Sequence, residues 1–212
     1  MKNIFNLDGG IMGFLTKITD LVILNLVFLV TCIPIITIGP ALTALYSITL
    51  KMVKNEEAYI VKNYFLAFKA NFKISFLSWL IVLAVSILIF VDYRIIAQFT
   101  NLPSIFLILL LAVFFLFSLV ILFLFPYIAR FENTLRQSFK NAAFMAIASL
   151  PYTILLLLIN GIFGVFLLFT PPQYSLLICI LFAFSMLAFV QSLLFRKVFA
   201  KFEPKEDDSF GS

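Results

Sequence analysis

Five stretches of this chain are long and apolar enough to cross a bilayer, a passage that takes roughly 20 residues. They run from about Leu21 to Ile38, Ile74 to Val91, Leu102 to Ile128, Ala146 to Phe169 and Leu176 to Phe195. Inside lipid every backbone N–H and C=O must find a partner within the protein, which leaves helices or a closed barrel. None of the stretches alternates with the period of two that barrel strands need. The expected fold is therefore all-α: an integral membrane bundle of about five transmembrane helices. Composition agrees. The chain is 64% hydrophobic and 12% charged, whereas soluble domains carry about a quarter charged residues. A soluble globular domain and a disordered chain are both excluded.

The stretch Leu21 to Val30 also fits the apolar core of a signal peptide, and Leu29-Val30-Thr31-Cys32 faintly matches a lipoprotein cleavage box. Thr31 stands where a small residue is needed and the apolar run continues to Ile36, so a retained helix is the better reading. There is no histidine, which removes the commonest general base. Cys32 and Cys179 lie in separate apolar runs with no metal-ligand spacing. No Walker loop, nucleophile elbow, HExxH or paired-carboxylate motif is present, so neither an enzyme nor a cofactor is expected. The net charge of +5 sits beside the apolar spans. Attraction to anionic headgroups accounts for it better than nucleic acid does.

Basic residues orient the bundle. Lys51, Lys54, Lys62, Lys69 and Lys73 follow the first span, Arg130, Arg136 and Lys140 the third, and Arg196, Lys197, Lys201 and Lys205 the last. The opposite side holds Lys2, Lys17 and Arg94, a division of twelve against three. The positive-inside rule then puts the N-terminus outside and the C-terminus in the cytoplasm. A parallel internal repeat is also present. Tyr64 to Lys69 and Leu135 to Lys140 are related by an offset of 71, each followed by a serine at the start of an apolar run, Ser78 and Ser149. Each is also preceded by a span closed with a proline, Pro40 and Pro126. The expected organisation is one transmembrane domain over residues 1–200. It holds repeat units at about 18–97 and 102–170, an extra span at 174–196 and a polar tail over 201–212.

Three sets of residues are candidates for function. Gly39, Thr43 and Ser47, with Pro40, form a small-residue stripe that lets another helix approach closely, either within the bundle or from a partner subunit. Two cytoplasmic amphipathic helices are expected. One presents Phe65, Phe68 and Phe72 beside Lys69 and Lys73, the other Phe139 beside Arg136 and Lys140. Such helices lie in the membrane interface or dock on a protein. Asp20, Asn25, Thr37 and Asn160 are polar groups in or near spans, with Gln191 a weaker case. They either line a substrate path or bond helix to helix.

The pattern from Asp20 through Asn25, Cys32, Pro34, Thr37, Gly39, Pro40 and Thr43 to Tyr46 resembles the opening of the YesL-like family of small polytopic bacterial membrane proteins. Phe65 through Ala67, Phe68, Lys69, Asn71, Phe72 and Lys73 is similar to that family's second block. The resemblance implies the cell membrane of a Gram-positive bacterium. It also implies an accessory role beside a carbohydrate importer of the ATP-binding-cassette (ABC) type, with its permease subunits or a membrane sensor kinase as partners. An autonomous carrier or channel, homo-oligomeric or not, and a lipid-organising protein are the alternatives.

Overall fold

The computed structural model describes residues 4–56, 59–98 and 103–202; the side chains of 4–12, 14 and 104 are outside that description. Most of the expected tail over 201–212, with Lys205, and Lys2 at the other end also lie outside it. Among the described residues the chain is helical and contains six helical segments long and apolar enough to cross a membrane. It is a multi-pass membrane bundle.

The first departure from expectation is at Pro34. Helix α1, Ile4–Cys32, stops two residues before it, because a proline disfavours helical geometry in the residue ahead of it and has no N–H to donate. Thr37 Oγ1 closes the break by donating to Thr31 O and Pro34 O, both at 2.7 Å. A separate helix, α2, then runs Ile38–Lys54, with Pro40 in its first turn where no N–H is needed. It ends at Asn55 in the left-handed region, with Lys51 and Lys54 in the last turn facing the negative end of the helix dipole. The single first span is thus two helices.

The second departure follows. Helix α3, Ile60–Gln98, is 39 residues of unbroken helix, about 58 Å at 1.5 Å per residue. It contains no glycine or proline, so nothing ends the amphipathic segment at Lys73 before the apolar run begins. In the second unit a break does occur. Helix α4, Ser104–Arg130, carries Pro126 inside it. Helix α5, Leu135–Ala148, starts with a capping box of Thr134 and Gln137. Ser149 (φ −118°, ψ 41°) separates it from α6, Leu150–Phe169, with Pro151 in its first turn. The last span is α7, Pro172–Ile178, a π-helical turn over Cys179–Ala183, and α8, Phe184–Phe199. The two segments offset by 71 are both helical, but α2 has no counterpart between α4 and α5. Ser78 and Ser149 are both buried, and neither hydroxyl has a partner among the described residues.

Helix α2 is the hub. Eleven of the 17 residues of α2 are buried, whereas α4 has no buried residue from Ile105 to Ser118. One core cluster joins α1, α2, α3 and α8 through Leu24, Phe28, Ala44, Ile48, Tyr64 and Ala188. The other joins α2 to α4, α5, α6 and α8 through Leu50, Phe123, Ala142, Leu156 and Phe195. The apolar faces of α4 and α6 point outward, as lipid-facing surfaces do.

Candidate functional site

Gly39 lies where α2 meets α3. A Cβ there would fall 2.5 Å from Trp79 Cβ and 2.6 Å from Ser75 O. Ser75 Oγ donates to Thr43 Oγ1 at 2.8 Å, and Thr43 Oγ1 donates to Gly39 O at 3.1 Å. Trp79 Nε1 donates to Ile35 O at 2.7 Å, which satisfies a carbonyl in the break that precedes α2. Pro40 and Ser47 are buried too. The small-residue stripe is therefore a seam within the chain and is not open to a partner subunit.

On its other side α2 is bonded to α8. Tyr46 Oη donates to Gln191 Oε1, Gln191 Nε2 donates to Asn160 Oδ1 at 3.1 Å, and Asn160 Nδ2 donates to Leu156 O at 2.7 Å. Thr49 Oγ1 and Ser192 Oγ share a bond at 2.8 Å. Asn160 is thus one end of a paired chain that crosses from α6 through α8 to α2. Gln191 is its centre, a more important position than its place near a span end suggests.

Asn25 does something different. Its side chain is fully buried. Nδ2 donates to Cys179 O at 2.9 Å and Ile180 O at 2.7 Å, while Oδ1 accepts from the backbone N–H of Phe184 and Ser185, each at 3.1 Å. A π turn takes backbone groups out of the ordinary i to i−4 ladder. A primary amide has donors and acceptors side by side, so one Asn serves both sides of the turn. Ser185 Oγ adds a bond to Leu21 O at 2.7 Å. Asn25 clamps α1 to the last span. Thr37 serves the break before α2, and Asp20 is half-buried on α1.

The remaining candidates gather at the basic end. Tyr64, Phe68, Phe72 and Phe76 form an aromatic ladder along α3, with ring centroids 6.3, 5.5 and 5.7 Å apart. Phe65 and Phe72 are exposed beside exposed Lys69 and Lys73, while Phe68 packs on the core. On α5, Arg136 and Lys140 are exposed and Phe139 packs inward. Between α3, α4 and α5 lies a cleft of about 720 Å³, whose polar lining is Asn71, Arg130, Glu132, Asn133, Thr134 and Gln137. Of these, Asn133 is held by Tyr127 Oη, which accepts from Asn133 Nδ2 at 2.6 Å and from Asn141 Nδ2 at 2.7 Å. A second cavity of about 370 Å³, between α6 and the last span, is lined by apolar side chains alone.

Residues 21–93 match the family described as a protein of unknown function, DUF624. The match covers α1 from Leu21, the break, α2 and α3 as far as Tyr93, so it holds Asn25, Gly39, Thr43, Tyr46, Ser75 and Trp79 together. No curated protein and no solved structure matches the chain. The groups that Asn25 and Tyr46 bind, at 179–185 and Gln191, lie beyond the matched stretch. Nothing in local spacing points to Ser75, Trp79 or Ser185, whose only signal is a polar or aromatic residue inside an apolar run, and Tyr46 stands in the sequence pattern above with no role assigned to it.

Proposed function

We propose that this protein is a non-enzymatic membrane subunit that acts by contact with a partner complex, and not a carrier. The observation that supports this is the pairing inside the bundle. Asn25, Asn160, Gln191, Tyr46, Thr43, Ser75, Thr49 and Ser192 all spend their hydrogen bonds on one another or on backbone. A polar solute would have to break those bonds to cross. The YesL-like resemblance supplies the partner class, an oligosaccharide importer of the ABC type or its sensor kinase. Purification from the native host in mild detergent, followed by mass spectrometry, is expected to recover a stoichiometric permease or kinase. A monomer or homo-oligomer that moves oligosaccharides across liposomes, and loses flux on Asn160→Leu, would overturn the reading in favour of a carrier.

The same geometry favours a different orientation from the one that loop charges suggest. Helices α1 and α2 are joined by a short break, and Lys17 Nζ donates to Asn55 Oδ1 at 2.6 Å. The two helices form a hairpin with Lys17 at the end that carries Lys51 and Lys54. Moving the N-terminal lysines to the cytoplasmic side leaves Arg94 as the one basic residue in the outer connections of the sequence, a stronger charge bias than the earlier division. Both termini then face the cytoplasm. In a background lacking Cys32 and Cys179, Arg94→Cys should react with an impermeant maleimide on intact cells. Lys17→Cys should react only after permeabilisation. Labelling of Lys17→Cys from outside would return the N-terminus to the outer face.

A further inference from the structure

The cleft between α3, α4 and α5 has a composition that the contact role does not use. We propose that it is a binding site for a phosphate-bearing anion, namely the headgroup of an anionic phospholipid. Three features carry this. The first is size: about 720 Å³ is within the range of small-molecule sites. The second is charge. Arg130 lines the cleft with Glu132 as its one acid, and Lys69, Lys73 and Arg136 sit beside its lining residues Ala70, Asn71, Ile74 and Gln137 in the chain. Arginine can offer a two-pronged donor to phosphate, and the amides of Asn71 and Gln137 add neutral polar groups. The first turn of α5, with Thr134 and Gln137 in the wall, adds the positive end of a helix dipole.

The third feature is depth. The cleft lies along α3 at the step from Lys69 and Lys73 to the apolar run that starts at Ile74. Ile74 and Ile128 are in its wall, so an apolar side adjoins the polar one. That is where a headgroup and its glycerol meet the protein. Basic pockets between helices on the cytoplasmic side take anionic headgroups by this chemistry. A soluble phosphate ester shares the headgroup's chemistry but does not need the apolar wall.

The test uses the full chain in mild detergent, offered equal phosphatidylglycerol and phosphatidylcholine, with retained lipid read by native mass spectrometry. The expected result is a preference for phosphatidylglycerol of roughly tenfold or more, reduced toward parity by Arg130→Gln with Arg136→Gln. Asn71→Leu, which removes a polar lining group without changing charge, should reduce it as well. Lys51→Gln with Lys54→Gln, an equal loss of charge outside the cleft, should not. Millimolar glycerol 3-phosphate should fail to displace the lipid; displacement at that level would assign the same site to a soluble phosphate ester. Equal retention of both lipids with no binding of glycerol 3-phosphate would overturn the proposal. An equal loss in the Lys51/Lys54 variant would do the same, since surface charge would then be sufficient. Thermal unfolding of each variant separates loss of the site from loss of the fold.

Discussion

Asn25→Leu is expected to lower the stability of the folded bundle by about 2–4 kcal/mol and to loosen the last span. Four bonds are lost at once, to Cys179 O, Ile180 O, Phe184 N and Ser185 N. A single interhelical hydrogen bond in a membrane protein is worth only about 0.6–2 kcal/mol, because the separated helices find other partners. The clamp exceeds one such bond because its partners are backbone groups of a π turn, which in the variant are left in a dry interior. Two measurements read the effect. The midpoint of thermal unfolding in detergent should fall. Cys179, half-buried in the turn, should react faster with a maleimide. An unchanged midpoint with unchanged labelling would mean that the turn rewinds to ordinary helix without Asn25, and the clamp would not be needed.

Gly39 is the second site where a small change should have a large effect. In Gly39→Ala the added carbon meets Trp79 Cβ at 2.5 Å and Ser75 O at 2.6 Å. One is backbone and the other is the root of a side chain, so neither can swing aside. Overpacking of this kind costs about 1–3 kcal/mol for one added carbon. Gly39→Leu adds more atoms at the same point and should keep α2 from docking on α3. Because α2 is the hub of both core clusters, the Leu variant is expected to reach the membrane yet fail to purify as a folded species. Trp79 is the one tryptophan, so its emission reports on the seam, and it should change in the Ala variant together with a lower unfolding midpoint. A variant with native emission and midpoint would show that the seam relaxes, and the close approach would then carry no weight. A role for Gly39 in a partner contact alone predicts normal stability with loss of a complex. The stability measurement therefore distinguishes the two.

The long apolar runs by themselves determined that this chain is a helical membrane bundle, and they placed α4, α6 and the last span to within a few residues. The reason is that lipid removes every alternative: a run of that length must be helical and must cross. Pro40 marked the close of the first span, although the helix breaks earlier, at Pro34, and the lysines marked the basic end. Other features were decided only by the tertiary structure. Helix α2 reads as a mixed segment because its Gly, Thr and Ser residues face other helices and not lipid, so hydropathy alone does not separate it from its neighbours. The length of α3 follows from the absence of a breaker at Lys73, where a change in polarity suggested a boundary but no residue imposed one. Asn25 and Asn160 are legible as polar residues in spans. Their roles are not, since the partners of Asn25 lie more than 150 residues along the chain, and only packing of the last span against α1 brings them within bonding distance. Whether a polar group in a span lines a path or fastens two helices depends on what stands opposite it, and that is set by the fold.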